Sequence, residues 1–410
     1  NTTGAVDQNV TVNKIKEGAE VIVQNLFAAN TDVLTLDGAA GATALTVTFE
    51  DALTDGNGDF NGDFTANYDT LTLKTNDAAS DVSIDLFSAS TLDTLNLSGA
   101  GDLTIASATN TTSLDLIEAS SMTGAITLTS IARANGATIN LGGGNDSVNW
   151  VTTSQAGNII DGGSGTDTLV ITGASTANVV IDLTSTTDQV TNVAGASNTS
   201  AQVNFENITA TGVTISGVNV TGSADGNTVI GSAQADTITG GTGILLTTPA
   251  AGNDVVSLNS TSTDVITLNI ESTNGVDTIT GFTGGATGDQ IEGTATTVAG
   301  NGTVADTILT GAAIANLDAH NEITTNAVMI NLADDVTRGA LATSLNGTSF
   351  DLTNMSRIFL VDVGSSVEML HAINGDTADD NDVVVTHIAT FSDIADITAS
   401  TFHANNFNFI

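Results

Sequence analysis

Apolar and polar residues alternate along most of this chain, in short runs that open on an acid. The runs are DVLTL from Asp32, DTLTL from Asp69, DTLNL from Asp93, DTLVI from Asp167, DTIT from Asp236, DVITL from Asp264, DTIT from Asp277 and DTIL from Asp306. A period of two sends successive side chains to opposite faces of a half-buried strand. Asp at the head of each run suits a turn, because its carboxylate accepts hydrogen bonds from nearby backbone N–H groups. The pattern predicts an all-β chain of many short strands with Asp-led turns, of a solenoid type such as a parallel β-helix. A β-sandwich stays open at this point.

Three regions follow from how the pattern changes. In residues 1–135 the candidate strands are 10–23, 33–36, 45–49, 71–73, 82–86, 92–97, 103–105, 114–117 and 126–128. From Leu92 each run ends on Gly, Ser or Ala, small residues that fit the tight corners of stacked coils. Residues 136–310 are rich in Gly, Asp and Asn. Residues 311–410 change character. In ADDVTRGALATSL (333–345), Val336, Ala340, Leu341 and Leu345 fall near helical spacing behind Asp334 and Asp335, which predicts one short helix in a mainly-β C-terminal domain. Residues 357–363, 367–373 and 383–388 read as strands, the first two joined by a hairpin at Gly364-Ser365-Ser366. Phe402, Phe407, Phe409 and Ile410 make an apolar tail.

Composition narrows the functions open to such a fold. Of 410 residues, 46 are Asp or Glu and 6 are Lys or Arg, a formal charge of -40, with 42 Gly, 1 Pro and no Cys. A chain this acidic does not neutralise phosphates, nor does it sit on an anionic membrane by its own charge, so nucleic acid is excluded as a partner. It offers no thiolate site, and no apolar run reaches the length of a transmembrane segment. Apolar residues are 40% and charged residues 13%, too apolar a balance for global disorder. The charge is one-signed, so carboxylate repulsion opposes compaction unless salt or bound cations offset it.

The candidate chemistry lies in the second region. Residues 162–170, GGSGTDTLV, match the nonapeptide G-G-x-G-x-D-x-U-x, where U is a large apolar residue. Glycines at the first, second and fourth places allow a tight turn with inward carbonyls, and the sixth-place Asp supplies a carboxylate. Calcium favours about 6–8 oxygen ligands, many of them carbonyls. Gly163, Gly165 and Asp167 are the candidate metal residues of this unit. The other units are degenerate. LGGGNDSVN (141–149) keeps Gly142, Gly144 and Asp146, and TSQAGNIID (153–161) has Asn158 in the Asp place. Residues 222–257 hold four units in register, with Asn227, Asp236, Leu245 and Asp254 at the sixth place and Gly252 in the last turn. Three scattered units offer Asp277, Asp289 and Asp306. A bland alternative is a solenoid in which these Asp residues only cap turns. Two further acidic loops compete. DGNGDFNGD (55–63) spaces Asp55, Asp59 and Asp63 so that they can face one ion, without the Gly and the twelfth residue an EF-hand requires. DTADDND (376–382) is the weaker of the two.

These repeats resemble those of the RTX family of calcium-binding secreted proteins. NFENITATG (204–212) is similar to the strand that introduces RTX repeats, and VDTITGFTGGATGDQIEG (276–293) to the segment that closes them. The resemblance implies a parallel β-roll in which two nonapeptides make one coil and several Ca²⁺ ions lie between turns. It also implies type I export that reads an uncleaved C-terminal signal, and the ending HIATFSDIADITASTFHANNFNFI is similar to one in kind. The chain opens Asn1-Thr2-Thr3 without Met or an apolar leader, so we expect a processed or partial chain that leaves the cell by such a route.

No catalytic constellation stands out. There is no HExxH or GxSxG, and His320, His371, His387 and His403 are far apart in sequence. We therefore expect a protein that is not an enzyme. The Thr-, Ala-, Gly- and Asn-rich, Lys-poor, Cys-free text, with coils such as SLDLIEASSMTGAITLTS, looks like the lattice-forming part of bacterial surface-layer (S-layer) proteins of the RTX class. That resemblance implies a structural protein that assembles with copies of itself at the extracellular cell surface as calcium completes its fold. It also implies lipopolysaccharide binding through a region not in this chain. The alternative is an RTX adhesin or secreted matrix protein, with an RTX hydrolase behind it.

Overall fold

A computed structural model gives the chain an all-β architecture of stacked parallel strands. It describes residues 9–24, 33–50, 60–76, 82–109, 111–131, 134–152, 157–193, 196–197, 199–224, 226–240, 245–247, 253–258, 264–269, 276–284, 289–294, 308–310, 327–331, 356–363, 365–374, 383–394 and 407–409. The helix expected at 333–345 lies outside the described residues. Contacts divide the chain into two compact units, Asn1–Ser175 with Ser185–Gly212, and Thr176–Thr184 with Val213–Ile410.

In the first unit the chain passes back and forth between two faces. Asn9–Ile15, Val33–Gly38, Phe60–Ala66, Val82–Ser88, Leu103–Ile105, Ile126–Leu128, Ser147–Val151 and Thr168–Ala174 lie side by side on one face. Glu20–Gln24, Ala44–Glu50, Thr70–Thr75, Thr94–Gly99, Leu116–Met122, Thr138–Asn140, Ile159–Asp161 and Ala201–Val203 lie side by side on the other. Taken in chain order these strands alternate between the faces, and neighbours within a face are one coil apart; the short Ala108–Thr109 is an addition that pairs with Val82–Ser88 on the first face. Parallel register stacks like upon like. Leu45 pairs with Leu71, Leu71 with Leu95, Leu95 with Ile117, Ile117 with Ile139 and Ile139 with Ile160. All six are buried, and Ile105, Leu128, Val148 and Leu169 form a matching column on the opposite face. Buried phenylalanines join this core, with Phe64 and Phe87 stacked at 5.8 Å and Phe49 and Phe60 tilted at 5.5 Å. These parallel ladders remove the sandwich alternative, whose sheets are antiparallel.

One expected strand is divided. Over 10–23 the alternation reads as continuous, yet Gly18 adopts φ 69° and turns the chain from Asn9–Ile15 to Glu20–Gln24 on the other face. A turn this short leaves little trace in a period-two pattern.

The second unit keeps the same plan. Val220, Ile238, Val256, Ile279 and Phe391 make one buried column through successive parallel pairs. The expected C-terminal strands are present: Ser356–Asp362 and Val367–Asn374 form an antiparallel hairpin, and Val383–Phe391 pairs antiparallel with the latter. Val383–Phe391 also pairs parallel with Asp277–Thr280, so these strands extend the sheet of the repeats. Phe282 packs on Phe391 at 5.2 Å across that junction.

Candidate metal centre

In the described units that carry it, the sixth-place Asp falls where the chain leaves a turn and enters a strand. Asp146 and Asp167 immediately precede Ser147–Val151 and Thr168–Ala174, Asp236 and Asp254 precede Thr237–Thr239 and Val255–Ser257, and Asp277 opens its strand. Strand alternation then sends these side chains inward with the core residues two places on. All five are buried, as are Asp264 and Asp289.

Backbone of the neighbouring coil receives them. The Asp146 N–H donates to Asp167 Oδ1 at 2.7 Å, Asp236 N–H to Asp254 Oδ1 at 2.9 Å, Asp254 N–H to Asp277 Oδ1 at 3.1 Å and Asp264 N–H to Asp289 Oδ1 at 2.9 Å. Each rung thus joins equivalent residues of successive coils, and the carboxylates form ladders along the solenoid. Glu206 continues the first ladder by accepting the Asp167 N–H at 2.7 Å. The rungs span 18 residues at Asp236–Asp254, 21 at Asp146–Asp167 and 23 at Asp254–Asp277. Eighteen residues are two nonapeptides, so that coil holds two units; the longer ones carry insertions.

Glycine turns stack beneath the ladders. Gly163 and Gly165 have φ 92° and 143°, and a Cβ on either would collide with the carbonyl oxygen of Gly142 or Gly144 one coil earlier. Backbone therefore meets backbone at this corner, and its carbonyl oxygens line the contact.

Burial dominates the electrostatics. It pushes the Asp167 carboxyl up to about 7, aided by the charges of Asp146, Glu206 and Asp161 and opposed by the Asp146 N–H. Asp254 is pushed up to about 7 and Asp277 to about 6, again chiefly by burial. Asp146, Asp236 and Asp289 are raised for the same reason. A carboxylate in such a place favours a bound proton or a nearby cation.

The residues fit calcium at one turn in particular. Asp167 Oδ2 is buried without a hydrogen-bond partner. It faces Gly162, where a Cβ would come within 3.0 Å of it and would collide with the Asn204 carbonyl oxygen. A carboxylate oxygen beside backbone carbonyls, with no nitrogen or sulfur donor, suits a hard cation. Asp146, Asp236 and Asp289 differ, because both oxygens of each already accept. Asp146 takes the N–H groups of Ile126 and Gly142, Asp236 those of Val218 and Ser232 with the Ser232 hydroxyl, and Asp289 those of Asp264 and Thr283. Among the described residues no three acidic or His side chains converge as a metal cluster. Stacking supplies one carboxylate per coil, so an ion here relies on carbonyls.

The remaining candidates separate. Asn158 accepts the Ala137 N–H at 3.0 Å across coils, whereas Asn227 accepts the Ser223 N–H at 2.7 Å within its own turn. Asp63 is half-buried within the strand Phe60–Ala66, opposite Val33, so at least this end of the acidic stretch is strand and not loop. Asp55, Asp59, Gly252, Asp306 and residues 376–382 lie outside the described residues. Two ladder members were not singled out as site residues from sequence: Glu206 and Asp264. Asp264 heads the run DVITL and carried the same signal as its neighbours. Comparison with protein-family models, curated proteins and solved structures finds no match for this chain.

Proposed function

We propose that this chain is a structural protein of a bacterial surface layer of the RTX class, which folds with calcium outside the cell and assembles with copies of itself into a two-dimensional lattice. The observation that carries the proposal is the ladder of buried carboxylates at the sixth nonapeptide place, in a chain with 46 acidic and 6 basic residues. Charges buried in register repel one another, and a divalent cation offsets that repulsion. Asp167 Oδ2 and the carbonyls of the stacked glycine turns are the groups that would hold Ca²⁺. Type I export through the C-terminal segment, and a lipopolysaccharide-binding region outside this chain, belong to the same proposal.

Electron microscopy of purified protein tests it. Periodic sheets are expected with calcium and dispersed particles after EGTA. Isolated particles in both conditions sink the lattice, and calcium-binding single particles point to an adhesin or matrix protein. A second reading, in which the Asp residues cap turns and no ion binds, is favoured by the saturated carboxylates of Asp146, Asp236 and Asp289. It expects no calcorimetric heat on adding calcium and a far-UV spectrum indifferent to EGTA.

A further inference from the structure

Seven Asn-Gly pairs occur in the sequence, and two of them, Asn61-Gly62 and Asn135-Gly136, lie wholly within the described residues. The fold holds these two in opposite ways. Asn61 and Gly62 are within the strand Phe60–Ala66, paired in parallel with Ser83 and Ile84, and Gly62 is buried. Asn135 and Gly136 form an exposed turn that leads into Thr138–Asn140. The flanks of that turn are pinned. The Ala134 N–H donates to the Leu114 carbonyl at 3.1 Å, the Thr138 N–H to the Asp115 carbonyl at 2.8 Å and the Ala137 N–H to Asn158 Oδ1 at 3.0 Å. Among the described residues no hydrogen bond holds Asn135 or Gly136. Gly136 has φ 83°, and a Cβ there would meet nothing within 4 Å.

We propose that Asn135 is a site of spontaneous covalent modification, at which the Gly136 amide nitrogen closes on the Asn135 side chain. A bond forms between Gly136 N and Asn135 Cγ, the Cγ–Nδ2 bond breaks, and Nδ2 leaves as ammonia with the Gly136 proton. Water then opens the five-membered imide. Attack at Cγ gives aspartate; attack at the main-chain carbonyl carbon gives isoaspartate, whose backbone runs through Cγ. Water is the co-reactant, and nothing is oxidised or reduced. Glycine favours the closure because no Cβ shields its nitrogen and its backbone reaches conformations that other residues resist. The closure also needs the backbone to rotate at Asn135, which an exposed turn allows and a paired strand prevents until it opens. Either product adds one negative charge to the turn at neutral pH. Isoaspartate also adds one carbon to a backbone that stacks on the following coil, where a Cβ on Gly157 would lie 3.7 Å from the Gly136 Cα.

Peptide mapping by mass spectrometry of the whole protein, aged in mildly alkaline buffer, tests the site. In the folded protein Asn135 is expected to convert to aspartate and isoaspartate at least about tenfold faster than Asn61, and unfolding in urea to bring the two to similar rates. An isoaspartate methyltransferase should label the aged peptide that contains Asn135. Asn135→Gln, which would have to close a six-membered ring, should abolish that label and leave the rate at Asn61 unchanged. Gly136→Ala should slow conversion of Asn135 in the same way, and a far-UV spectrum matching the unmodified protein separates a blocked nitrogen from a lost fold. Equal rates at Asn61 and Asn135 in the folded protein overturn the proposal. So does an Asn135 amide that stays intact in the folded protein over the time in which the urea-unfolded protein converts it.

Discussion

Asp167 concentrates the conflict on which this protein is built. Its Oδ1 anchors the preceding coil, while its Oδ2 is buried without a partner. Asn in its place keeps an acceptor for the Asp146 N–H and removes the buried charge. In calcium-free buffer Asp167→Asn is therefore expected to raise the unfolding temperature, and with calcium added to show a smaller rise than the unmodified protein. Asp167→Ala leaves the Asp146 N–H unpaired and should destabilise by about 1–3 kcal/mol with or without calcium. Thermal unfolding of both variants, with EGTA and with calcium, checks this pair. Equal calcium responses in all three proteins would remove Asp167 from the proposed calcium site. From sequence, Asp167 and Asp146 look alike; the difference lies in Gly142, whose N–H occupies the second oxygen of Asp146.

At the scale of a coil, the glycine turn sets how closely neighbours stack. Gly165 has φ 143° and faces the Gly144 carbonyl, which belongs to the backbone of the preceding coil and cannot move alone. Gly136 has φ 83°, and a Cβ there would meet nothing within 4 Å. Gly136→Ala is expected to cost about 1 kcal/mol, the penalty of a left-handed conformation. Gly165→Ala adds a backbone collision and should cost more than about 2 kcal/mol. Denaturant unfolding of the two variants measures the difference, and similar midpoints would contradict the stacking described. The nonapeptide pattern marks Gly165 as special, whereas the Gly18 turn went unmarked because Lys16, Glu17 and Gly18 interrupt the alternation too briefly to break it.

For the whole molecule the ladders make stability depend on pH. Asp167, Asp254 and Asp277 are held at about 7, about 7 and about 6, above the roughly 3.9 of an unfolded Asp. The folded chain thus binds protons more tightly than the unfolded chain. The associated stability is fully present below about pH 4 and is lost as pH rises through about 6 to 7. In EGTA the unfolding temperature should fall steadily across that window. If calcium binds the ionised form as proposed, saturating calcium should flatten the fall. A flat profile in EGTA would show that these carboxylates are not held as described.

The sequence by itself determined the strands, apart from the division at Gly18, the faces they bury and the place of Asp at their heads. All three follow from a period of two and from the turn chemistry of Asp, which act over a few residues. Only the tertiary structure decided which strands are neighbours. Rungs of 18, 21 and 23 residues occur in one chain, and Ile160 pairs with Gln202 across an insertion. Coil length is set by corners that carry no periodic signal, so partners cannot be counted off along the text. For the same reason the sequence located the acidic residues without showing that they form ladders. Whether a carboxylate is capped by backbone or keeps an oxygen open depends on which N–H groups the adjoining coil and its own turn bring to it.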